Sequence, residues 1–244
     1  MRAYGVLSFV SVYVPSQLLT VAQPFVSLFP CFLLSFFHPQ VLCPLNNVTM
    51  LDYTIEWLAS SGVEELFVFC VHHADQVEAY VEASSWTSVI KVICVKEKTI
   101  TNAGDALREL DKMGLVRSDP FIMVYGDVVT NVDIRGALKE HKKRHKADDA
   151  AIMTILFKQV DHMSAVRQIS DDLVVGLNSA TNQITLFHND ITDPCTEIPT
   201  SFFDAHSQID VRTDLLDCGI DICKCLRAFL RFFFVTLSRS SWER

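Results

Sequence analysis

A chain of 244 residues with a formal net charge of −8 and 50% hydrophobic residues is long enough to bury a sizeable core in one domain, and its acidity argues against direct nucleic-acid binding. Its eight cysteines, Cys31, Cys43, Cys70, Cys94, Cys195, Cys218, Cys223 and Cys225, show no zinc-type pairing, because Cys223-Lys224-Cys225 is too tight and no second pair accompanies it. Buried reduced thiols are expected rather than a disulfide framework.

In chain order, no Asp, Glu, Lys or Arg occurs between Arg2 and Asp52. The run from Val21 to Phe37 approaches the roughly 20 apolar residues of a membrane span, but Pro24 and Pro30 interrupt it. No positively charged region leading to a small-residue cleavage site supports a secretory signal, and a membrane role is not expected. Residues 1–38 are set apart as an apolar segment unlike the middle of the chain. Asn47-Val48-Thr49 spells a glycosylation acceptor, a match too short to weigh alone.

From Leu51 to Phe157, helices and strands alternate. Leu51, Ile55, Leu58 and Ala59 share a helical face, Gly62 is placed to cap that helix, and Leu66 to Val71 is an apolar strand. Val77, Tyr80 and Val81 lie on a second helix before a strand over Val89 to Val95. Ala106, Leu107, Leu110 and Met113 lie on a third, leading into the strand Phe121-Ile122-Met123-Val124-Tyr125-Gly126-Asp127. A fourth helix starts near Ile134, carries Ala137, Leu138 and His141, and precedes a strand over Ala151 to Phe157. Repeated helix-strand order with continuously apolar strands predicts a doubly wound α/β fold, a mostly parallel sheet covered on both faces.

Ligands collect at the carboxyl ends of the strands in such sheets, so Asp127 sits where chemistry would be. Gly126 allows a sharp turn or close ligand approach, and a carboxylate suits a divalent cation carrying phosphates. The competing reading is that Gly126-Asp127 only turns the chain. His72 and His73 read as loop residues at a strand end. The basic run Lys139 to Lys146 reads as a solvated helix face. Beyond Lys158, strands over 172–177 and 183–187 flank the polar turn Asn178 to Asn182 and predict a hairpin added to the sheet. Residues 189–213 read as irregular. Leu215 to Cys223, with Asp217, Gly219 and Asp221, reads as a further strand.

Four segments in register carry a family resemblance. Val41 to Leu58 with Ser61 to Cys70, Ala103-Gly104-Asp105-Ala106-Leu107-Arg108, Val116 to Phe121 with Val124 to Asn131, and Asp214 to Cys223 resemble the nucleotidyltransferase-like domain of the epsilon subunits of eukaryotic translation initiation factor 2B. The resemblance covers 39–223 and sets 224–244 apart as an atypical apolar tail. In the related sugar-1-phosphate nucleotidyltransferases it implies a glycine-rich loop for the triphosphate, a following lysine, and a magnesium ligand at Asp127. Gly104-Asp105 would fall where those enzymes contact the base, although Asn102 as a cap with Asp105 in a helical first turn is an adequate structural account.

Here Pro39-Gln40 stands where the loop ends and the lysine would be, and Phe187-His188-Asn189 replaces a later Glu-Lys pair. The first strand and the glycine-rich loop are expected to be missing, leaving the strand with Phe67 and Phe69 as an unpaired edge. Loss of those charges removes several kcal/mol of transition-state stabilisation per contact, so no catalytic residue is expected. Gly104, Asp105, Gly126 and Asp127 would be a vestigial nucleotide site. No cofactor is expected, Mg2+ on a nucleotide at Asp127 being the one candidate.

The resemblance implies a cytosolic, non-catalytic assembly domain in the exchange complex for initiation factor 2. Its direct partners would be the gamma subunit and the other subunits of factor 2B, with initiation factor 2 indirect. A divergent sugar-1-phosphate nucleotidyltransferase and a membrane-anchored α/β protein are the alternatives.

Overall fold

The structure is a computed structural model that describes residues 5–10, 39–70, 73–96, 103–126, 128–161, 164, 173–188, 198, 203 and 208–224. The expectations placed on Val21 to Phe37, His72, Asn102, Asp127, Asn189, the tail from 225 and Cys31, Cys195 and Cys225 lie outside the described residues. Contacts gather the chain into two compact units, Met1–Thr154 with Gly219–Arg244, and Ile155–Cys218.

The large sheet has six strands in the order β5-β4-β1-β6-β11-β7. Its strands are β1 (Gly5–Val10), β4 (Glu65–Cys70), β5 (Lys91–Lys96), β6 (Phe121–Tyr125), β7 (Met153–Gln159) and β11 (Leu215–Cys223). β1 pairs in parallel with both β4 and β6, β4 pairs in parallel with β5, and β11 runs antiparallel to β6. Chain order leaves β1 toward β4 and β5 on one side and reaches β6 on the other, which makes the β1/β6 boundary a topological switch point.

This corrects one expectation. The first strand is not missing: Gly5–Val10 fills the central slot, so β4 with Phe67 and Phe69 is an interior strand. The sequence hid it because Gly5–Val10 lies in a long charge-free segment and shows no two-residue period that marks it off from its flanks.

The helices are α1 (Met50–Ser60), α2 (Ala74–Ala83), α3 (Ala103–Met113) and α4 (Ile134–Ala147). α3 packs Ala106, Leu107 and Leu110 against Phe67, Phe69, Val95, Phe121 and Met123. The alternate residues Leu66, Val68, Ile122 and Val124 are equally buried and point to the opposite face, where right-handed crossovers place α1 and α2. The expected three-layer, doubly wound arrangement is the one observed. Met113 departs from it, being exposed at the end of α3, where the chain already turns at Gly114.

Helix ends obey local chemistry. Thr49 caps α1 by accepting from the Asp52 amide at 3.2 Å. The helix closes with Gly62 at φ +86°, its amide on Ala59 O and the Val63 amide on Leu58 O, a left-handed stop that glycine takes without a Cβ penalty. Asp133 caps α4, so the helix begins at Ile134 as expected. Ahead of α1, β2 (Pro44–Leu45) and β3 (Val48–Thr49) form a small hairpin turning through Asn46 and Asn47, both at positive φ.

In the second unit, β8 (Val174–Asn178) and β9 (Ile184–His188) form the expected hairpin, and β10 (Ile209–Arg212) adds to β8. The hairpin is not an extension of the large sheet, since β10-β8-β9 is a sheet of its own. β10 also lies within the stretch read as irregular. Leu173, Val175 and Leu215 form this unit's core, with Phe157, Leu177 and Ile184 packed on it.

Candidate functional site

Parallel pairing lines up the carboxyl ends of the strands. The registers Val10↔Cys70, Cys70↔Lys96 and Phe9↔Tyr125 place Lys96, Cys70, Val10 and the Tyr125-Gly126 turn along one edge. α3 returns from the end of β5 to the start of β6, so its first turn, with Gly104 and Asp105, starts from that same edge. Topology therefore brings Gly104, Asp105 and Gly126 to the edge where ligands bind in such sheets. Asp127, the carboxylate on which the metal expectation rests, lies outside the described residues. Among the described residues, no three His, Cys, Asp or Glu side chains gather as a metal site.

The edge has a distinct chemical character. Lys96 Nζ lies 2.7 Å from Asp75 Oδ1 and 2.5 Å from Glu78 Oε2, and hydrogen bonding to the two α2 carboxylates raises its pKa. Burial, with Cys94 nearby, pushes the Cys70 thiol up to about 12, and burial, with Glu78 nearby, pushes Cys94 up to about 11. Thiols held protonated this far above neutrality are poor nucleophiles. Among the described residues, Cys43, Cys70, Cys94, Cys218 and Cys223 are free, and of these Cys70 and Cys223 are buried. His73 adopts a left-handed conformation as the residue before α2 and makes no side-chain cap bond, the loop role expected of it.

The segment leaving Gly126 is anchored by α1. Thr54 Oγ1, on a residue buried in α1, donates to Val128 O at 3.0 Å, and Trp57 Nε1 donates to Val132 O at 2.8 Å. From the other side β11 presses close at Gly219. This residue has φ +63°, and a Cβ there would stand 2.9 Å from Tyr125 Cδ2 and 3.0 Å from Val128 Cγ2. Buried Asp221 comes next but one on β11, in register with Met123. Its charge adds to burial in raising the Cys223 thiol well above its usual value.

Sequence reasoning missed a second polar cluster at the start of α1. Tyr80 donates to Asp52 Oδ2 at 2.6 Å, Thr49 Oγ1 lies 2.9 Å from the same oxygen, and Trp86 Nε1 donates to Asp52 Oδ1 at 2.8 Å. Burial and the bond to Asp52 raise the Tyr80 pKa. The spacing Thr49-x-x-Asp52 is a capping-box signal that identifies half of this cluster. With both carboxylate oxygens engaged, Asp52 ties α1 to α2 and to the 3-10 turn Ser85–Ser88.

Geometry and chain order together match a known group. The family model described as nucleotidyl transferase matches residues 34–165. The chain belongs to the nucleotidyl transferase family. It is 40% identical over 187 residues to translation initiation factor eIF2B subunit epsilon of Dictyostelium discoideum, covering 76% of this chain and 26% of that protein. It is 39% identical over 189 residues to the same subunit of Schizosaccharomyces pombe, covering 76% of the chain and 28% of the relative. These matches bear out the resemblance read from the motifs. The chain thus spans about a quarter of the curated relatives it matches. Among solved structures, a putative glucose-1-phosphate thymidylyltransferase from Bacillus anthracis in complex with a sucrose superposes with a TM-score of 0.59 at 13% identity, covering 91% of this chain and 72% of that one. At that identity the likeness bears on the fold alone.

Proposed function

We propose that the chain is the transferase-like assembly segment of an epsilon-type subunit of translation initiation factor 2B, a component of the cytosolic complex that exchanges guanine nucleotide on initiation factor 2, and that it carries out no chemistry itself. The supporting observation is the 40% identity to the epsilon subunit over 187 residues, against 13% to the superposed thymidylyltransferase structure. Gln40 at the place of the enzymes' lysine supports the non-catalytic part, as does the loss of the later Glu-Lys pair at Phe187-His188. Without those charges, phosphoryl transfer loses the electrostatic stabilisation on which it mostly depends. No helix among the described residues is long and apolar enough to cross a membrane.

Two measurements test this reading. Co-expression with a gamma subunit should raise soluble yield and give a complex on size exclusion, and a chain that stays monomeric beside the gamma subunit would remove the assembly role. Incubation with Mg2+, nucleoside triphosphates and sugar phosphates should release no pyrophosphate above a blank. Turnover abolished by Asp127→Asn would establish a divergent nucleotidyltransferase instead.

A further inference from the structure

α4 divides its sides sharply. Ile134, Leu138 and His141 are buried, while Lys139, Lys143, Arg144 and Lys146 are exposed and Lys142 is half-buried. Lys139, Lys142, Lys143 and Lys146, with Ala147, line an open-sided concavity of about 480 Å³. The other described lysines of this unit, outside α4, form ion pairs: Lys91 with Glu65 at 2.8 Å, Lys96 with Asp75 at 2.7 Å, Lys112 with Glu109 at 2.7 Å and Lys224 with Asp149 at 2.7 Å. Among the described residues, no carboxylate lies within ion-pair distance of Lys139, Lys143 or Lys146. The carboxylates just beyond the helix are already engaged. Asp149 is held by Lys224 and lies 3.5 Å from His145, and Asp148 accepts from the Ala150 amide.

Like charges three and four residues apart destabilise a helix, and this chain, at −8 overall, has gathered them on one strip. The helix dipole accounts for cations in the last turn, Arg144, His145 and Lys146, but not for Lys139 in the middle of the helix. We propose that this strip is a docking surface for an extended acidic segment of a partner protein, a property that does not depend on the assembly role.

Charge complementarity commits the site to an anion, and the lining selects its class. Side chains four residues apart on a helix are separated by about 6 Å along its axis, which is the step from Lys139 to Lys143 and from Lys142 to Lys146. Alternate side chains of an extended peptide repeat at about 6.6 Å on one face, so a Glu-x-Glu pattern meets successive ammonium groups. The lining offers no aromatic ring on which a base would stack and no guanidinium fork for a phosphate, which favours carboxylates over RNA.

The test uses the full chain, a fluorescein-labelled peptide of five Glu-Ser repeats, and a uridine decanucleotide of matched length, read by fluorescence anisotropy at low and high salt. The peptide should bind saturably at low salt and more weakly at high salt. The combined variant Lys139→Gln, Lys143→Gln, Lys146→Gln should bind about tenfold more weakly, the sum expected of three exposed ion pairs, while Lys91→Gln should bind as the parent does. Circular dichroism reports whether the triple variant is folded, and the single changes Lys139→Gln and Lys146→Gln each carry a graded loss if it is not. Absence of saturable peptide binding, equal binding by these variants, or tighter binding of the oligonucleotide would overturn the proposal.

Discussion

Two residues show how narrowly single positions are specified. Gly219 and Gly62 both have positive φ, but nothing lies within 4 Å of a Cβ built at Gly62, whereas Gly219 faces Tyr125 and Val128. Gly62→Ala should therefore cost about 1 kcal/mol, the conformational penalty alone. Gly219→Ala adds a steric clash and should cost about 2–3 kcal/mol, part of it recovered in combination with Tyr125→Ala. Denaturant midpoints of the variants provide the comparison. His141 is buried with Nδ1 2.9 Å from Thr154 Oγ1. Burial first, then the nearby side chains of Arg144, His145 and Lys142, push its pKa down to about 4, against the opposing pull of Asp119. The unfolded chain takes up this proton near pH 6.5 and the folded chain only near 4. Stability on this account is flat above pH 6.5, falls between 6.5 and 4, and levels off below. The loss has an upper bound of about 3 kcal/mol. Urea titrations at pH 7, 5.5 and 4.5 should show the decline in the parent and a smaller one in His141→Gln; identical slopes would rule out His141 as its source.

Among elements, α1 is the one that organises its surroundings. Its apolar face was legible from the spacing of Leu51, Ile55 and Leu58, and its carboxyl end from Gly62, because these signals are local. Its polar contacts were not legible, since Tyr80 and Trp86 lie 28 and 34 residues beyond Asp52, and Val128 and Val132 lie 74 and 75 residues beyond Thr54 and Trp57. Only the folded sheet brings those groups together. The same limit applies to the candidate site: Gly126 at a strand end could be read from the chain, but the approach of Gly219 from β11 could not. Trp57→Phe keeps most of the buried apolar surface and removes only the donor to Val132 O. It should cost about 1–2 kcal/mol and speed amide exchange over 128–133 while leaving the core of β4 protected. Unchanged exchange in that segment would show that α1 does not anchor it.

For the whole molecule, the decisive element is β1. The helix-strand alternation from Leu51 to Phe157 fixed the fold class, but it left the centre of the sheet empty, because Gly5–Val10 sits in a segment whose uniform lack of charge conceals a strand. With β1 in register against Glu65 to Cys70 on one side and Ile122 to Tyr125 on the other, the sheet is continuous across its switch point and β4 presents no edge. A proline in an interior strand removes a ladder donor and cannot be accommodated by turning it to solvent. Ser8→Pro, midway along β1, should therefore cost about 3 kcal/mol or more and expose the β4 and β6 edges that template aggregation. The expected result is loss of soluble yield and of cooperative thermal unfolding. Ser8→Thr, which suits a strand, serves as the control. If Ser8→Pro were as soluble and as cooperative as the parent, residues 5–10 would not be the central strand, and the sheet would have to close between β4 and β6 without them.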